Sequence, residues 1–547
     1  MSVVVVLGAG VGGLTAAHAL SRRGFQVIVI ERHSEIGGLA RSGYSADGYP
    51  TEYCWRIYGP NYVNLQRTMQ EIPLKTKEQE QQPICDQRSR SETVFDNLVE
   101  ISDSIVSSSH GNFILNNNLS SIAQIRKSLQ TVPLSDLAQF FRAYLNGITA
   151  GDRVTKEYLT EVTWKDYLGP LQSKYFAKLA VYSVAPFLGE DLRKVSAAAI
   201  IESLEGLSVA KQRNLSVMNG PTNDQWFNHW YTHLTEDCGV AIRLSTMVEK
   251  IVLNIDHSSI SSAIVRDLQS NQQFEITANY FVCALSVESA AALLGKEIPN
   301  LHELAFVGRQ GMVGVQLYLD SKFTFEHTKL RRRAKCPNRV FPNGAIYLPE
   351  SPWQLVIELQ GYIWNYQDPS DKVKDIWSVG LDDPVTLGTL IRKPFPRCTR
   401  EEIQQEVWHQ ILNSPNLQSL LVSDDGKRLD EVQVVGFHLW DTYKYENGQM
   451  RTYEPKFSDN AHTYKLAPDT RTSIDNLVFA TGYTRGKTFV YNMEKACTNG
   501  LLAANAILEN ELFEPVDVFI QPRQLPSLNF LRNLDDFLQQ FSSPSIT

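Results

Sequence analysis

Glycines near the start of the chain carry the spacing that most directly implies chemistry. Gly8-Ala9-Gly10-Val11-Gly12-Gly13 satisfies GxGxxG. In that pattern Gly8 permits a tight turn, Gly10 lets a pyrophosphate approach the backbone, and Gly13 lets the following helix pack closely on the strand. The free N–H groups and dipole at a helix N-terminus then favour phosphate charge. Glu31, with Arg32 beside it, ends the next apolar run. A carboxylate there accepts hydrogen bonds from ribose hydroxyls and disfavours a 2′-phosphate. A glycine-rich turn beside a surface acid is the plain alternative. The strand before, the helix after and the acid together favour dinucleotide binding, with Gly8, Ala9, Gly10, Gly12, Gly13, Glu31 and Arg32 as the first candidate contacts.

Other constellations are weaker. "WFNHWYTHL" places His229 and His233 one helical turn apart, but no Glu follows the first His as in HExxH. The aromatics suit helix packing, so no metal is expected. "KLRRRAKCPNR" gathers Lys329, Arg331, Arg332, Arg333, Lys335 and Arg339. Such a run is usually a solvated loop; the alternative is attraction to acidic lipid head groups. Neither a GxSxG elbow nor a Walker A sequence is present.

The elements that must hold the glycine turn can be read around it. "VVVVLGAGVGGLTAAHAL" is long enough to span a bilayer, yet its glycines fall where a helix would have to be continuous, and no basic cluster precedes it. A β-branched strand, a turn and a helix fit better. "GFQVIVIER" supplies the second strand of a βαβ unit, and "YSADGYP" predicts a hairpin. Residues about 75 to 110 are polar and aperiodic and read as an exposed excursion. From Leu134 to Leu207 the pattern is mainly helical, with Leu134, Leu137, Phe140, Phe141, Tyr144 and Leu145 as apolar positions of its first helix. "GVAIRLSTMVEKIVL" returns to strands, "GMVGVQLYL", "GAIYLP" and "WQLVIELQ" predict another sheet, and "REEIQQEVWHQIL" predicts a helix. The last section, "DNLVFATGY" then "MEKACTNGLLAANAIL", is again strand, turn and helix. In the tail, Leu528, Leu531, Leu534, Phe537, Leu538 and Phe541 fall near one helical face. That face is expected to dock on the parent domain, with an oligomer contact as the alternative.

Bulk properties narrow the function classes. At 547 residues the chain needs more than one compact unit, and a formal charge of −8 argues against a dedicated nucleic-acid binder. The cysteines Cys54, Cys85, Cys238, Cys283, Cys336, Cys398 and Cys497 are dispersed and form no CxxC pair. Neither a disulfide framework nor a zinc site is therefore expected, and a reducing, cytoplasmic setting is the default.

The stretch "ERHSEIGGLARSGY" decides between dinucleotides. Gly37-Gly38 followed by Leu39, Ala40, Arg41 and Ser42 resembles the paired-glycine motif of the amine oxidase and phytoene desaturase type of FAD flavoproteins. "STMVEKIVL", "YFVCALSVESAAALL", "SPWQLVIELQ", "TYEPKFSDNAHTYKLAPDTRTSIDNLVFATGYT" and "MEKACTNGLLAANAIL" are similar to further blocks of that superfamily, in particular its bacterial desaturase-like members. The resemblance implies a discontinuous Rossmann-like FAD-binding domain (α/β) with an inserted mixed α+β substrate domain. The FAD-binding stretches would be 1–75, 235–300 and 456–512, the substrate stretches 76–234 and 301–455, and the docking tail 513–547.

Non-covalent FAD is implied, held by Gly38, Leu39, Ala40 and Arg41, by the backbone of Val248 at the adenine, and by Met493 and Glu494 at the last helix. One departure stands out. Where relatives usually read Ala-Gly-Asp, this chain has Ala480-Thr481-Gly482. Backbone amides of Thr481 and Gly482, Thr484, or a side chain elsewhere would substitute for the Asp, whose loss weakens FAD by about 1.5–3 kcal/mol of a charged hydrogen bond. Trp55, Arg56 and Tyr58 fall near the flavin face of relatives and are the candidate substrate residues. The implied activity is desaturation, isomerisation or related oxidation of an apolar, isoprenoid-like molecule by hydride transfer to flavin N5, with oxygen or a quinone as acceptor and peripheral membrane contact as an option. Oxidation of an amine or amino acid is the competitor, and flavin binding without turnover is the third reading.

Overall fold

Five parallel strands carry the glycine turn. In spatial order they are Leu477–Phe479, Tyr280–Cys283, Val3–Leu7, Gln26–Ile30 and Ala241–Arg243. The computed structural model describes residues 2–74, 92–101, 104–115, 130, 132–182, 191, 193–209, 215–309, 311–325, 331–333, 336–341, 344–364, 366–523 and 525–541. Val4, Val5, Val6 and Leu7 are completely buried, as a β-branched run covered on both faces must be. The sheet draws its strands from far-separated stretches, so the chain leaves this Rossmann-like unit and returns to it. A three-stranded antiparallel sheet, Thr246–Leu253, Ile260–Asp267 and Gln273–Ile276, packs against it through a cluster that includes Val5, Leu7, Ala263 and Val265. The expected hairpin pairs Ser42–Tyr44 with Pro50–Glu52, turning through Gly48 at φ +82°.

The insertion is built on a seven-stranded sheet in the order Val434–Leu439, Val313–Leu319, Asp375–Leu381, Leu355–Leu359, Ile346–Leu348, Ser104–Ser108 and Gly111–Leu115. Its central strands are buried throughout. Helix Arg400–Leu412, closed at its start by a Thr399–Glu402 capping box, packs Ile403, Val407 and Ile411 into the same core. Ser104–Ser108 corrects the sequence reading of 75–110 as an exposed excursion. The stretch is serine-rich and reads as loop, yet it is fully buried. Ser107 donates to the Pro415 carbonyl (2.9 Å) and Ser108 to the Gly111 carbonyl (3.2 Å), which satisfies the hydroxyls inside a strand. Residues 75–91 lie outside the described residues, as do the side chains of the Lys329–Arg339 basic run.

The helical middle differs in its facing. Helix Leu134–Thr149 buries Asp136, Ala143, Gly147 and Ile148, while Leu134, Phe141 and Leu145 are 83%, 58% and 55% exposed. Gly147 packs under Ile201 of helix Ala197–Val209, so close approach of the two helices, rather than bulk, selects the buried face. Trp226, Phe227, Trp230 and Leu234 pack in one cluster with Leu14, Ala17 and Leu65, and the boundary expected at 234 falls within that group.

The tail also turns its apolar face the other way. Helix Asn529–Phe541 docks on the helical middle through polar atoms. Asp535 accepts from Gly151 N (2.7 Å), Asp536 from Asp152 N and Arg153 N (3.1 and 3.0 Å), and buried Arg532 donates to the Ile148 carbonyl (2.9 Å) and pairs with Glu205. Leu531, Leu534, Phe537 and Leu538 stay exposed, while Leu528 packs inward; the Phe541 side chain lies outside the described residues. Among the described residues no helix is long and apolar enough to cross a membrane.

One crossing holds the glycine-turn end together. Helices Val11–Ser21 and Met493–Asn510 meet where a Cβ on Gly500 would overlap the Gly12 carbonyl and lie 2.9 Å from Thr15 Cβ. Replacing Gly500 with Ala should therefore force the helices apart, costing about 1–3 kcal/mol. Chemical denaturation of the Gly500→Ala chain checks this; unchanged stability would mean that the crossing yields at no cost.

Candidate active site

Glycine geometry separates structural from binding positions at the turn. Gly8, at φ +103°, bends the chain so sharply that an added Cβ would sit 2.7 Å from the Ala284 carbonyl oxygen. Gly13 is backed by the Gly8 carbonyl and Val6, and Gly12 by the Ala480 carbonyl. Gly10 differs, since a Cβ there meets nothing nearer than Gly38 Cα at 4.0 Å. As N-cap of helix Val11–Ser21 it makes no side-chain bond, and first-turn N–H groups have no intrahelical partner. A cavity of about 720 Å³ opens over this point.

Most sequence-predicted cofactor residues share that cavity. Gly8, Gly10, Gly12, Glu31 and Arg32 line one part, and Gly38, Leu39, Ala40 and Arg41 continue it. Val248 enters from the three-stranded sheet, and Thr481, Gly482 and Met493 lie along the wall made by the chain's last strand and helix. Ala9 and Gly13 support the turn from behind. Trp55 and Arg56 line the cavity; Tyr58 does not, being wholly buried beneath it with its hydroxyl unpartnered.

Several charged groups are already engaged. Glu31 accepts from Ala9 N (2.8 Å) and His33 N (2.9 Å), which pins its carboxylate at the end of the second strand. Arg32 lies over the Tyr453 ring at 4.9 Å. Arg41 donates to the Gly38 carbonyl (2.8 Å) and to Glu454 (2.7 Å), with its guanidinium over Trp440 at 5.1 Å. Glu454 also contacts His33. Burial would raise the Glu454 carboxyl, but the His33 hydrogen bond and the Arg41 charge outweigh it and hold it down at about 2. Arg56 is spent on structure: it pairs with Glu52 (3.2 Å) and donates to Thr222 (3.0 Å) and to the carbonyls of Leu39 and Arg41. It fastens the paired-glycine loop and has little left for a substrate.

Gly482 and Glu494 also take unexpected places. A Cβ on Gly482 would lie 2.6 Å from Tyr491 Cε2, so the tyrosine ring fills the room an Asp would need. Glu494 points away from the cavity and caps helix Val63–Gln70, accepting from Asn64 N (3.0 Å) and Leu65 N (2.8 Å). Burial pushes its carboxyl up to about 6 despite those donors.

Sequence reasoning missed a polar group at the cavity's other end. Asp382 and Lys456 both line it, beside Cys54, Met312 and Val356. Asp382 is 1% exposed, and among the described residues neither carboxyl oxygen has a hydrogen-bond partner. Its neighbours Asp191 and Asp383 share Arg193, at 2.8 and 3.0 Å. Burial drives the Asp382 carboxyl upward, opposed by the Lys456 charge and reinforced by Asp191 and Asp383. Cys54 is pushed up to about 12 by burial. "DD" after a strand has no motif to mark it, and only the fold brings it to the glycine turn.

Comparison with known proteins bears on what this cavity holds. A profile of the family described as flavin containing amine oxidoreductase matches residues 11–508. The 15-cis-phytoene desaturase of Synechococcus elongatus is 22% identical over 530 residues, 93% of this chain and 96% of that enzyme. The chloroplastic/chromoplastic 15-cis-phytoene desaturase of Solanum lycopersicum is 23% identical over 338 residues, so the chain spans only 55% of its length in that match (60% of this chain). Among solved structures, putrescine oxidase bound to putrescine superposes with a TM-score of 0.59 at 14% identity, covering 93% of this chain and 99% of the other. At that identity the likeness speaks for fold alone.

Two substitutions test the site's construction. Gly482→Asp should displace Tyr491 and lower stability by about 1–3 kcal/mol without tightening flavin binding, as read by thermal unfolding and flavin titration. Glu494, with its carboxyl raised in the folded chain, favours folding most below its ordinary value of 4.5, and that contribution fades as pH rises through about 6. Across this window the wild type should lose up to about 2 kcal/mol relative to Glu494→Gln in a pH series of denaturant titrations.

Proposed function

Because the chain belongs to the flavin-containing amine oxidoreductase family, we propose that it is an FAD-dependent oxidoreductase that removes hydrogen from an apolar, isoprenoid-like substrate. The observation that carries this reading is one cavity with a phosphate cradle at one end and the unpartnered Asp382 at the other. The cradle fits FAD: the open space over Gly10, the first-turn N–H groups of Val11–Ser21, Glu31 for ribose and the strand at Val248 for adenine supply contacts along an extended dinucleotide. No cysteine tether motif is present, so binding is non-covalent.

When bound, FAD supplies the two-electron acceptor for a hydride from substrate carbon. The chain's own residues do the rest. Arg56 and Glu52 hold the loop at Leu39–Arg41 in place, and Met312, Val356 and Trp55 offer apolar surface to the substrate. Desaturation also requires a proton to leave the neighbouring carbon, and Asp382, whose carboxyl lies buried in the cavity wall, is the candidate acceptor. Its raised proton affinity, caused by burial, suits that step. Loss of the hydride and the proton would leave a C=C bond in the substrate, with oxygen or a quinone as the final electron acceptor.

A second reading follows from the same carboxyl. The Asp382 carboxyl, buried in the cavity wall, can also accept a hydrogen bond from a substrate amine, whose oxidation would give an imine that water hydrolyses to a carbonyl compound and ammonia. Anaerobic bleaching of the flavin by a panel of polyenes and amines decides between them. Bleaching by a polyene, with a new C=C bond in the product, supports the first reading; bleaching by amines alone replaces it with the second, and no bleaching by either class contradicts both. Asp382→Asn should slow reduction by about 10- to 100-fold with flavin still bound; an unchanged rate would remove Asp382 from the chemistry.

A further inference from the structure

Away from the cavity, three side chains from distant parts of the sequence converge behind the glycine-turn helix. His18 lies in the last turn of helix Val11–Ser21, His233 begins a π-turn at His233–Asp237, and Cys238 ends it. Their ligand atoms all lie within 4.8 Å of one another. Cys238 Sγ is 3.6 Å from His233 Nε2. That is the edge of a tetrahedron with Zn–S near 2.3 Å and Zn–N near 2.05 Å, about 3.6 Å. The imidazoles of His18 and His233 sit edge to face with centroids 5.1 Å apart.

The surroundings prepare these atoms as ligands. His18 is 2% exposed, and among the described residues its Nε2 has no hydrogen-bond partner. An unmet imidazole nitrogen at that depth is costly unless something binds it. His233 Nδ1 is 2.8 Å from Asp237 Oδ2, a carboxylate–histidine arrangement that leaves Nε2 for a metal. Glu71, C-cap of helix Val63–Gln70, places Oε2 4.0 Å from His18 Nε2, with Arg22 paired to the same oxygen at 2.5 Å.

We propose that His18, His233 and Cys238 form a zinc-class metal site, with Glu71 or a water as the fourth ligand. Binding replaces the thiol proton with the metal: the S–H bond breaks, the Zn–S bond forms, and the proton passes to solvent. None of these residues lines the cavity. The site is therefore a staple. It ties the helix that begins at the glycine turn to the end of Val63–Gln70 and to the segment carrying Trp226 and Trp230, which pack on that helix. The sequence offered only the His229–His233 pair; the fold turns His233 toward His18 instead.

The test uses the full chain, purified, stripped with a chelator, reloaded with zinc chloride and desalted, with metal counted by mass spectrometry. Cobalt chloride, loaded in parallel, reports a thiolate ligand by its charge-transfer absorption. The expected result is stoichiometric zinc and a cobalt–thiolate band in the wild type and in His229→Ala, a strong loss of both in Cys238→Ser and His18→Gln, and zinc-dependent thermal stabilisation confined to the chains that bind. Circular dichroism confirms that each variant is folded, and Cys238→Ser, at a half-buried position, serves if His18→Gln does not fold. Failure of the wild type to retain zinc, or equal retention by Cys238→Ser, would overturn the proposal whatever the flavin chemistry proves to be.

Discussion

Backbone-to-backbone contact at the glycine crossing is the constraint on which the site depends. Gly12 lies against the Ala480 carbonyl, and Gly500 lies against the Gly12 carbonyl. With no side chain between them, helices Val11–Ser21 and Met493–Asn510 bring their N-terminal ends to one cavity, where Gly10, Val11, Gly12, Met493 and Ala496 all take part in the wall. Each helix start carries about half a positive charge, so the crossing builds an anion-attracting corner from peptide groups alone. A single Cβ in the crossing would separate elements that are almost five hundred positions apart in sequence.

The charged side chains around that corner are mutually satisfied, which keeps a large cavity stable before anything enters it. Arg41 is balanced by Glu454, Arg56 by Glu52, and Glu31 by two backbone N–H groups. Asp382 breaks the pattern, because its flanking acids have Arg193 and it has no hydrogen-bond partner. Buried polar groups are rarely left in that state without a functional reason. The contrast divides the cavity into a prearranged end at the glycine turn and a chemically unsatisfied end.

Much of the glycine-turn end was legible in sequence because the relevant signals are local. The strand, turn and helix at Val3–Ser21 and the hairpin at Ser42–Glu52 are written in consecutive residues, and the paired-glycine block identified the superfamily. What escaped notice depends on tertiary partners. Ser104–Ser108 looks like loop until Pro415 and Gly111 accept the hydroxyls of Ser107 and Ser108. Helix Leu134–Thr149 buries its small residues because Ile201 must come close, and the tail helix is held by Arg532, Asp535 and Asp536 instead of its leucines. Glu454 and Asp382 reach the site across hundreds of residues, and no spacing rule links them to Gly10. Glu494, expected at the cofactor, instead serves as the cap of another helix.

Calorimetric titration of FAD into the flavin-free chain and into its Gly10→Val variant tests the central claim most directly. A Cβ at Gly10 meets only Gly38 Cα, at 4.0 Å, so a side chain there should leave the fold intact while blocking the pyrophosphate. The account predicts stoichiometric FAD uptake by the wild type and a loss of at least about 100-fold in affinity for an equally stable variant. Equal uptake by both chains, or none by the wild type, would contradict it.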